Sequence, residues 1–307
     1  MQPQNLGSTG SPGGGRVRAA WVLLTLFLGG AVVMLLELLG TRIVHPWYGS
    51  GVYVWAALIS VTLASLAAGT WAGGVAGDRW PREGTLYGAV LAAALFMAPA
   101  PFLAEPVMRR AFAWCGPAGG AFFSAACLFS LPLAFLGALA PVVLRLRSRG
   151  VASIGGTAGR LYAISTLGSL AGTLVVGFVL IPRFGNREVL LGASALLACV
   201  SAVGSLLSRA GGRSVACAAA VLLLPLPSLA RVQGTDIVHS SQSLYGLVEV
   251  IDRDGIRYLM IDGNVHSHMN LGEGVPAITC EYVRTFGLLP AFRPERGRVL
   301  GDASRNG

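Results

Sequence analysis

Lysine is absent from this chain: all 23 basic residues are Arg. Charge of either sign is scarce, 12% of 307 residues, about half the roughly 25% of an ordinary soluble domain. With 54% hydrophobic residues and a mean hydropathy of +0.65, that scarcity excludes a soluble globular enzyme and fits a polytopic membrane protein. Also missing are a C-x-x-C pair, a Walker loop, a G-x-G-x-x-G turn and a Ser-His-Asp order. The five Cys (Cys115, Cys127, Cys199, Cys217, Cys280) have no paired spacing, and four lie in or beside apolar runs. There Cys acts as a small hydrophobe, so neither a disulfide framework nor a metal site is expected.

What is present is a series of apolar runs. Residues 1–18 form a Gly/Ser/Pro-rich tail, expected to be disordered, and a first span follows from Ala19 to about Gly40. It is too long for a signal peptide and has no small-residue cleavage site. Further runs of bilayer length cover Val52–Ala76, Thr85–Ala104, Ala121–Leu144, Ala158–Ile181 and Val189–Leu207. A seventh, Val215–Ala230, is short and contains Pro225 and Pro227, leaving six or seven transmembrane helices. The net charge of +9 then reads as orientation rather than nucleic-acid binding. Arg16, Arg18, Arg79, Arg82, Arg145, Arg147, Arg149, Arg160, Arg209 and Arg213 fall on one side; Arg42, Arg109, Arg110, Arg183 and Arg187 fall on the other. That asymmetry places the N-terminus in the cytoplasm of a bacterial-type inner membrane.

An internal echo sets Thr62-Leu63-Ala64-Ser65-Leu66-Ala67 against Thr166-Leu167-Gly168-Ser169-Leu170-Ala171, in spans of opposite direction. It suggests an inverted repeat of three plus three helices, against chance likeness of two Ala/Gly/Leu-rich segments. Glycines spaced by four (Gly69, Gly73, Gly77; Gly168, Gly172) predict close helix packing. Gly77-Asp78-Arg79 predicts a turn held by an Asp–Arg pair.

Residues 19–231 thus form a membrane domain, and 232–307 a small β-rich domain. Leu244–Ile251 and Ile256–Ile261 read as strands joined by Asp252-Arg253-Asp254-Gly255, and Asp262-Gly263-Asn264 turns again. Ile278, Tyr282, Thr285, Phe286 and Leu289 recur at helical spacing.

Few residues in this pattern carry chemistry. Glu37 is the one acidic group inside an apolar run, a cation or proton contact or else a snorkelling or Arg-paired carboxylate. His266 and His268 form an H-x-H near Glu273, but without a third well-spaced ligand no metal is expected.

Three segments carry a family likeness: Ser243-Leu244-Tyr245-Gly246-Leu247-Val248-Glu249-Val250, Arg257-Tyr258-Leu259-Met260-Ile261-Asp262-Gly263, and Glu281-Tyr282 with Leu289-Pro290. They resemble the N-terminal β-domain of spermidine synthases. The membrane part is similar to the multi-span region fused to such domains in some bacterial proteins. That likeness rests on Glu37 with Thr41-Arg42, Tyr48-Gly49-Ser50, Gly77-Asp78-Arg79, Gly159-Arg160-Leu161-Tyr162 and Gly177-Phe178-Val179-Leu180-Ile181-Pro182.

The resemblance implies aminopropyl transfer from decarboxylated S-adenosylmethionine, as co-substrate, to a diamine such as putrescine. It implies substrate contacts at Tyr245, Asp262, His266 and Tyr282. The chain departs from the family pattern at Gly246, where Gln is usual, and at His266, Ile278-Thr279 and Val283-Arg284. The family's nucleotide-binding domain would begin near Val299, so truncation is the expectation. No cofactor is then bound by this chain alone, and its catalytic residues are unassigned. The alternative is a transporter-like or scaffold membrane protein handling or sensing polyamines. The expected partners are the lipid bilayer, a polyamine and a second copy of the chain, not nucleic acid.

Overall fold

A computed structural model of the chain describes residues 12–49, 51–148, 154–208, 237–242, 247–261 and 264–271. The chain divides into two compact units, Met1–Leu229 and Ala230–Gly307.

The first unit is helical: α1 (Pro12–Tyr48), α2 (Val52–Arg79), α3 (Glu83–Met97), α4 (Ala100–Gly137), α5 (Leu139–Arg147) and α6 (Ile154–Val175). A π-helical turn (Val176–Leu180), α7 (Ile181–Arg183) and α8 (Asn186–Leu207) complete it. Among the described residues five helical stretches are long and apolar enough to cross a membrane, with α3 a shorter apolar helix.

The helix ends follow local chemistry. α1 begins at Pro12, inside the stretch assigned to the tail, and ends beyond the expected Gly40, at Tyr48, with Gly49 next. There a positive φ of 77° lets the Gly49 amide close on the His45 carbonyl at 2.8 Å. Arg42 and His45 are therefore helical rather than loop residues. The expected third span, Thr85–Ala104, is interrupted: α3 ends at Met97 and α4 starts at Ala100, because Pro99 and Pro101 remove two amide donors. Gly116 (φ 64°) with Pro117 breaks α4 again. The α8 amino end is capped by Glu188, whose carboxylate accepts the Gly185 amide at 3.2 Å. The seventh run, Val215–Ala230, lies outside the described residues.

Two parallel helix pairs organise the bundle. On α2, a methyl at Gly69 would overlap the Ala134 carbonyl and one at Gly73 the Ala138 backbone. On α6, a methyl at Gly168 would overlap the Phe27 carbonyl and one at Gly172 the Ala31 backbone. In each pair the second contact lies one turn further along both helices, so both pairs run parallel. Beside each, a hydroxyl crosses to a glycine carbonyl: Thr70 Oγ1 donates to Gly137 at 3.3 Å and Ser169 Oγ to Gly30 at 3.1 Å. The spacing-by-four reading thus holds for these four glycines.

α3 and α8 pack antiparallel. Ser194 Oγ donates to the Ala94 carbonyl and Ser201 Oγ to that of Tyr87, both at 2.8 Å. The Tyr48 hydroxyl ties α1 to both halves of α4, donating to the Met108 carbonyl at 3.0 Å and meeting Ser124 Oγ at 2.9 Å.

In the second unit, β1 (Ile237–Gln242), β2 (Leu247–Arg253), β3 (Ile256–Ile261) and β4 (Asn264–Asn270) form an antiparallel meander. The predicted hairpin is present, with its turn tightened to Asp254-Gly255 at φ 53° and 75°, the positive-φ pair that matches strand twist. Asp252 lies in β2 rather than in the turn, opposite Arg257. β1 was not legible as a strand. The helix expected from Ile278 to Leu289 lies outside the described residues.

Candidate functional site

The charged side chains of the helical unit lie toward its two ends, while buried hydroxyls such as Ser194 and Ser201 sit between them. At the Tyr48 end stand three α1 side chains. Glu37 is partly buried and makes no hydrogen bond or ion pair among the described residues. Arg42 buries both Nη1 and Nη2, and His45 its Nε2, with no hydrogen-bond partner among the described residues. The His45 ring stands edge-on to Trp55 of α2, centroids 6.1 Å apart. Five residues separate Glu37 from Arg42, which puts them about 140° apart around a helix of 3.6 residues per turn, too far round to pair.

An open groove of about 480 Å³ runs between α1, the π-helical end of α6 and the first turns of α8. Leu28, Ala31 and Leu35 supply its α1 wall, Val176 and Leu180 the α6 wall, and Gly192 its α8 wall. The one ionisable side chain lining it is Glu188, at the Phe184 end. Because α1 and α6 run parallel, that end is also the Tyr48 end.

At the opposite end, Arg145 of α5 pairs with Asp78 of α2. This corrects the expected pairing within Asp78-Arg79: consecutive helical side chains diverge, and Arg79 lies over the Trp80 ring at 5.8 Å. Arg147 Nη2 donates to the Ala19 carbonyl at 2.7 Å, placing the start of α1 with the ends of α2 and α5. Glu83 Oε2 is buried there without a partner among the described residues.

Of the β-unit residues expected to touch substrate, Tyr245, Asp262 and Tyr282 lie outside the described residues. His266 is exposed on β4, and His268 stacks on Tyr258 of β3 at 5.8 Å. Glu273, which would complete the H-x-H cluster, is also outside the described residues. Within the sheet a bidentate pair joins β2 to β3, Arg257 Nε and Nη2 each donating to Asp252 at 2.6 Å. These bonds hold the Asp252 carboxyl below its ordinary range and raise the Arg257 guanidinium. Cys115, Cys127 and Cys199 are free and exposed.

Arg42, expected in a loop, and His45, not expected in the site, both belong to α1. The signal that could have found them is their spacing: Leu28, Leu35 and Arg42 recur by seven, as do Ala31, Leu38 and His45. No protein family, no curated protein and no solved structure matches this chain.

Proposed function

We propose that the helical unit is a transporter-like membrane domain built as an inverted three-plus-three repeat, α1 to α3 against α4 to α8, with Glu37 as an intramembrane contact for an amine cation. The observation that carries this reading is the equivalence of the two glycine-packed pairs. Gly69, Thr70 and Gly73 meet Ala134, Gly137 and Ala138 as Gly168, Ser169 and Gly172 meet Phe27, Gly30 and Ala31. The equivalence differs in register from the Thr62–Thr166 echo, but joins the same two spans. Inverted repeats set such pairs about a pseudo-two-fold axis in the membrane plane, and substrate sites lie between the halves.

A partly buried carboxylate without an ionic partner suits a cationic amine, since an intramembrane acid normally has a functional counter-charge. The chain is then a multi-pass protein of a bacterial-type inner membrane with its N-terminus in the cytoplasm. The test is uptake of labelled putrescine and spermidine by vesicles carrying the purified protein. Flux above protein-free vesicles, lost about tenfold in Glu37→Gln, is expected; flux unchanged by that substitution removes Glu37 from the reading.

A second reading keeps the spermidine synthase likeness for the β unit. The four-stranded meander in the segment carrying the likeness favours it, with β2 starting two residues after Tyr245 and β3 ending one residue before Asp262. An aminopropyl-transfer assay, with decarboxylated S-adenosylmethionine and putrescine given to the protein from its native membrane, tests it. Transfer that Tyr245→Phe and Asp262→Asn reduce supports the enzyme; none from the intact protein removes it.

A further inference from the structure

We infer that the groove between α1, α6 and α8 holds one acyl chain of an anionic phospholipid, with the lipid's phosphate received by Arg42 and His45. The inference does not depend on polyamine transport. It starts from the three buried nitrogens without partners, Arg42 Nη1 and Nη2 and His45 Nε2. A guanidinium withdrawn from water in a membrane domain, with no acceptor and no counter-charge among the described residues, is costly enough to require an explanation. Neither carboxylate serves among the described residues: Glu37 projects from another side of α1, and Glu188 makes no ion pair with Arg42.

The placement of the two side chains names the occupant. Leu28 and Leu35 line the groove, and the same row on α1 reaches Arg42 seven residues on; the row through Ala31 reaches His45. At 1.5 Å per residue Arg42 lies about 10 Å beyond Leu35 along the helix, toward the membrane surface. An apolar groove with orphaned donors further along its α1 row matches an amphiphile with an anionic head; the one carboxylate lining that end, Glu188, accepts the Gly185 amide. Arg binds phosphate in bidentate fashion, and His45 supplies a further donor when its proton is on Nε2. Basic pockets between transmembrane helices bind anionic lipid headgroups for the same reason. The groove opens outward along α6 and α8, where the lining residues Val175 and Leu196 are 48% and 43% exposed, so a chain can enter laterally from the bilayer.

Native mass spectrometry of the full chain, stripped of lipid in detergent, separates the sources of phosphate. It is titrated with phosphatidylglycerol, with phosphatidylcholine and with inorganic phosphate. Phosphatidylglycerol is expected to bind at least tenfold more tightly than either of the others, and Arg42→Gln with His45→Gln to abolish that preference. Gly192 lines the groove, and a Cβ there meets nothing within 4 Å. Gly192→Leu is therefore expected to fill the groove without disturbing the fold, weakening phosphatidylglycerol while leaving inorganic phosphate unaffected.

Arg42→Gln removes an unpartnered charge, so the lipid-free variant is expected to melt no lower than the parent and to lose the upward Tm shift given by phosphatidylglycerol. Equal binding of phosphatidylglycerol and inorganic phosphate, or a preference that survives Arg42→Gln and His45→Gln, overturns the inference. So does a Gly192→Leu variant that binds the lipid as before.

Discussion

Asp78, near the end of α2, is paired with Arg145 of α5, and this contact sets two chain segments on one side of the bundle. Both side chains are more than half exposed, so the pair contributes little to stability, about 0 to 1 kcal/mol. Its value is topological. Cysteines placed at Asp78 and at Ser148 in a Cys-free background are expected to react with a membrane-impermeant maleimide from the same side. A cysteine at Gly49 is expected to react from the opposite side. Labelling of Asp78 and Gly49 positions from one side contradicts the arrangement.

The two glycine-packed pairs predict matched sensitivities. Gly69→Ala and Gly168→Ala each push a methyl into a backbone carbonyl and are expected to cost about 1 to 3 kcal/mol, as overpacking does. Gly74→Ala and Gly159→Ala, where a Cβ meets nothing within 4 Å, are expected to be neutral or slightly stabilising. Thermal or denaturant unfolding in detergent reads the contrast, and equal effects at all four sites would contradict the packing.

Tyr48 joins the halves of α4 through its hydroxyl, so Tyr48→Phe is expected to destabilise the helical unit by about 1 kcal/mol. Interhelical hydrogen bonds in membranes average near 0.6 kcal/mol, and the variant also strands the buried Ser124 hydroxyl. Adding Ser124→Ala is expected to recover part of the loss. A double-mutant cycle with no coupling between the two positions shows that the bond is not formed.

The Asp252–Arg257 pair predicts a pH dependence of the β2–β3 hairpin. A carboxyl held below its ordinary range stabilises the fold above the unfolded value of about 3.9. That contribution is lost as pH falls through the lower, folded value. Amide exchange in β2 and β3, corrected for intrinsic rates and followed in the full chain, is expected to accelerate below about pH 4. Asp252→Asn is expected to remove this step; a step that persists there belongs to another group.

Much of the helical architecture was legible because a bilayer fixes how long an apolar run must be, and α2, α6 and α8 overlap the expected spans closely. The misreadings have local causes. Pro99 and Pro101 interrupt a run whose hydropathy is continuous, and the charge of Arg42 suggests a loop although nothing before Gly49 ends the helix. The Asp254-Gly255 hairpin announced itself through its turn. β1, Ile237-Val238-His239-Ser240-Ser241-Gln242, has no alternating pattern and owes its place to pairing with β2. The glycine spacing signalled that helices approach closely but not which ones, since partner choice depends on Ala134 and Phe27, far off in sequence. Arg42 and His45 escaped notice because an orphaned donor is visible only once its neighbours are in place.

Where Gly69 and Gly168 let one helix touch another's backbone directly, no side chain remains between them to change rotamer. α2 with the second half of α4, and α1 with α6, are therefore stiff couples. The α3–α8 and α1–α4 contacts, by contrast, run through the side chains of Ser194, Ser201 and Tyr48. Any large rearrangement of this domain must then be sliding or rocking of intact couples along those serine and tyrosine seams.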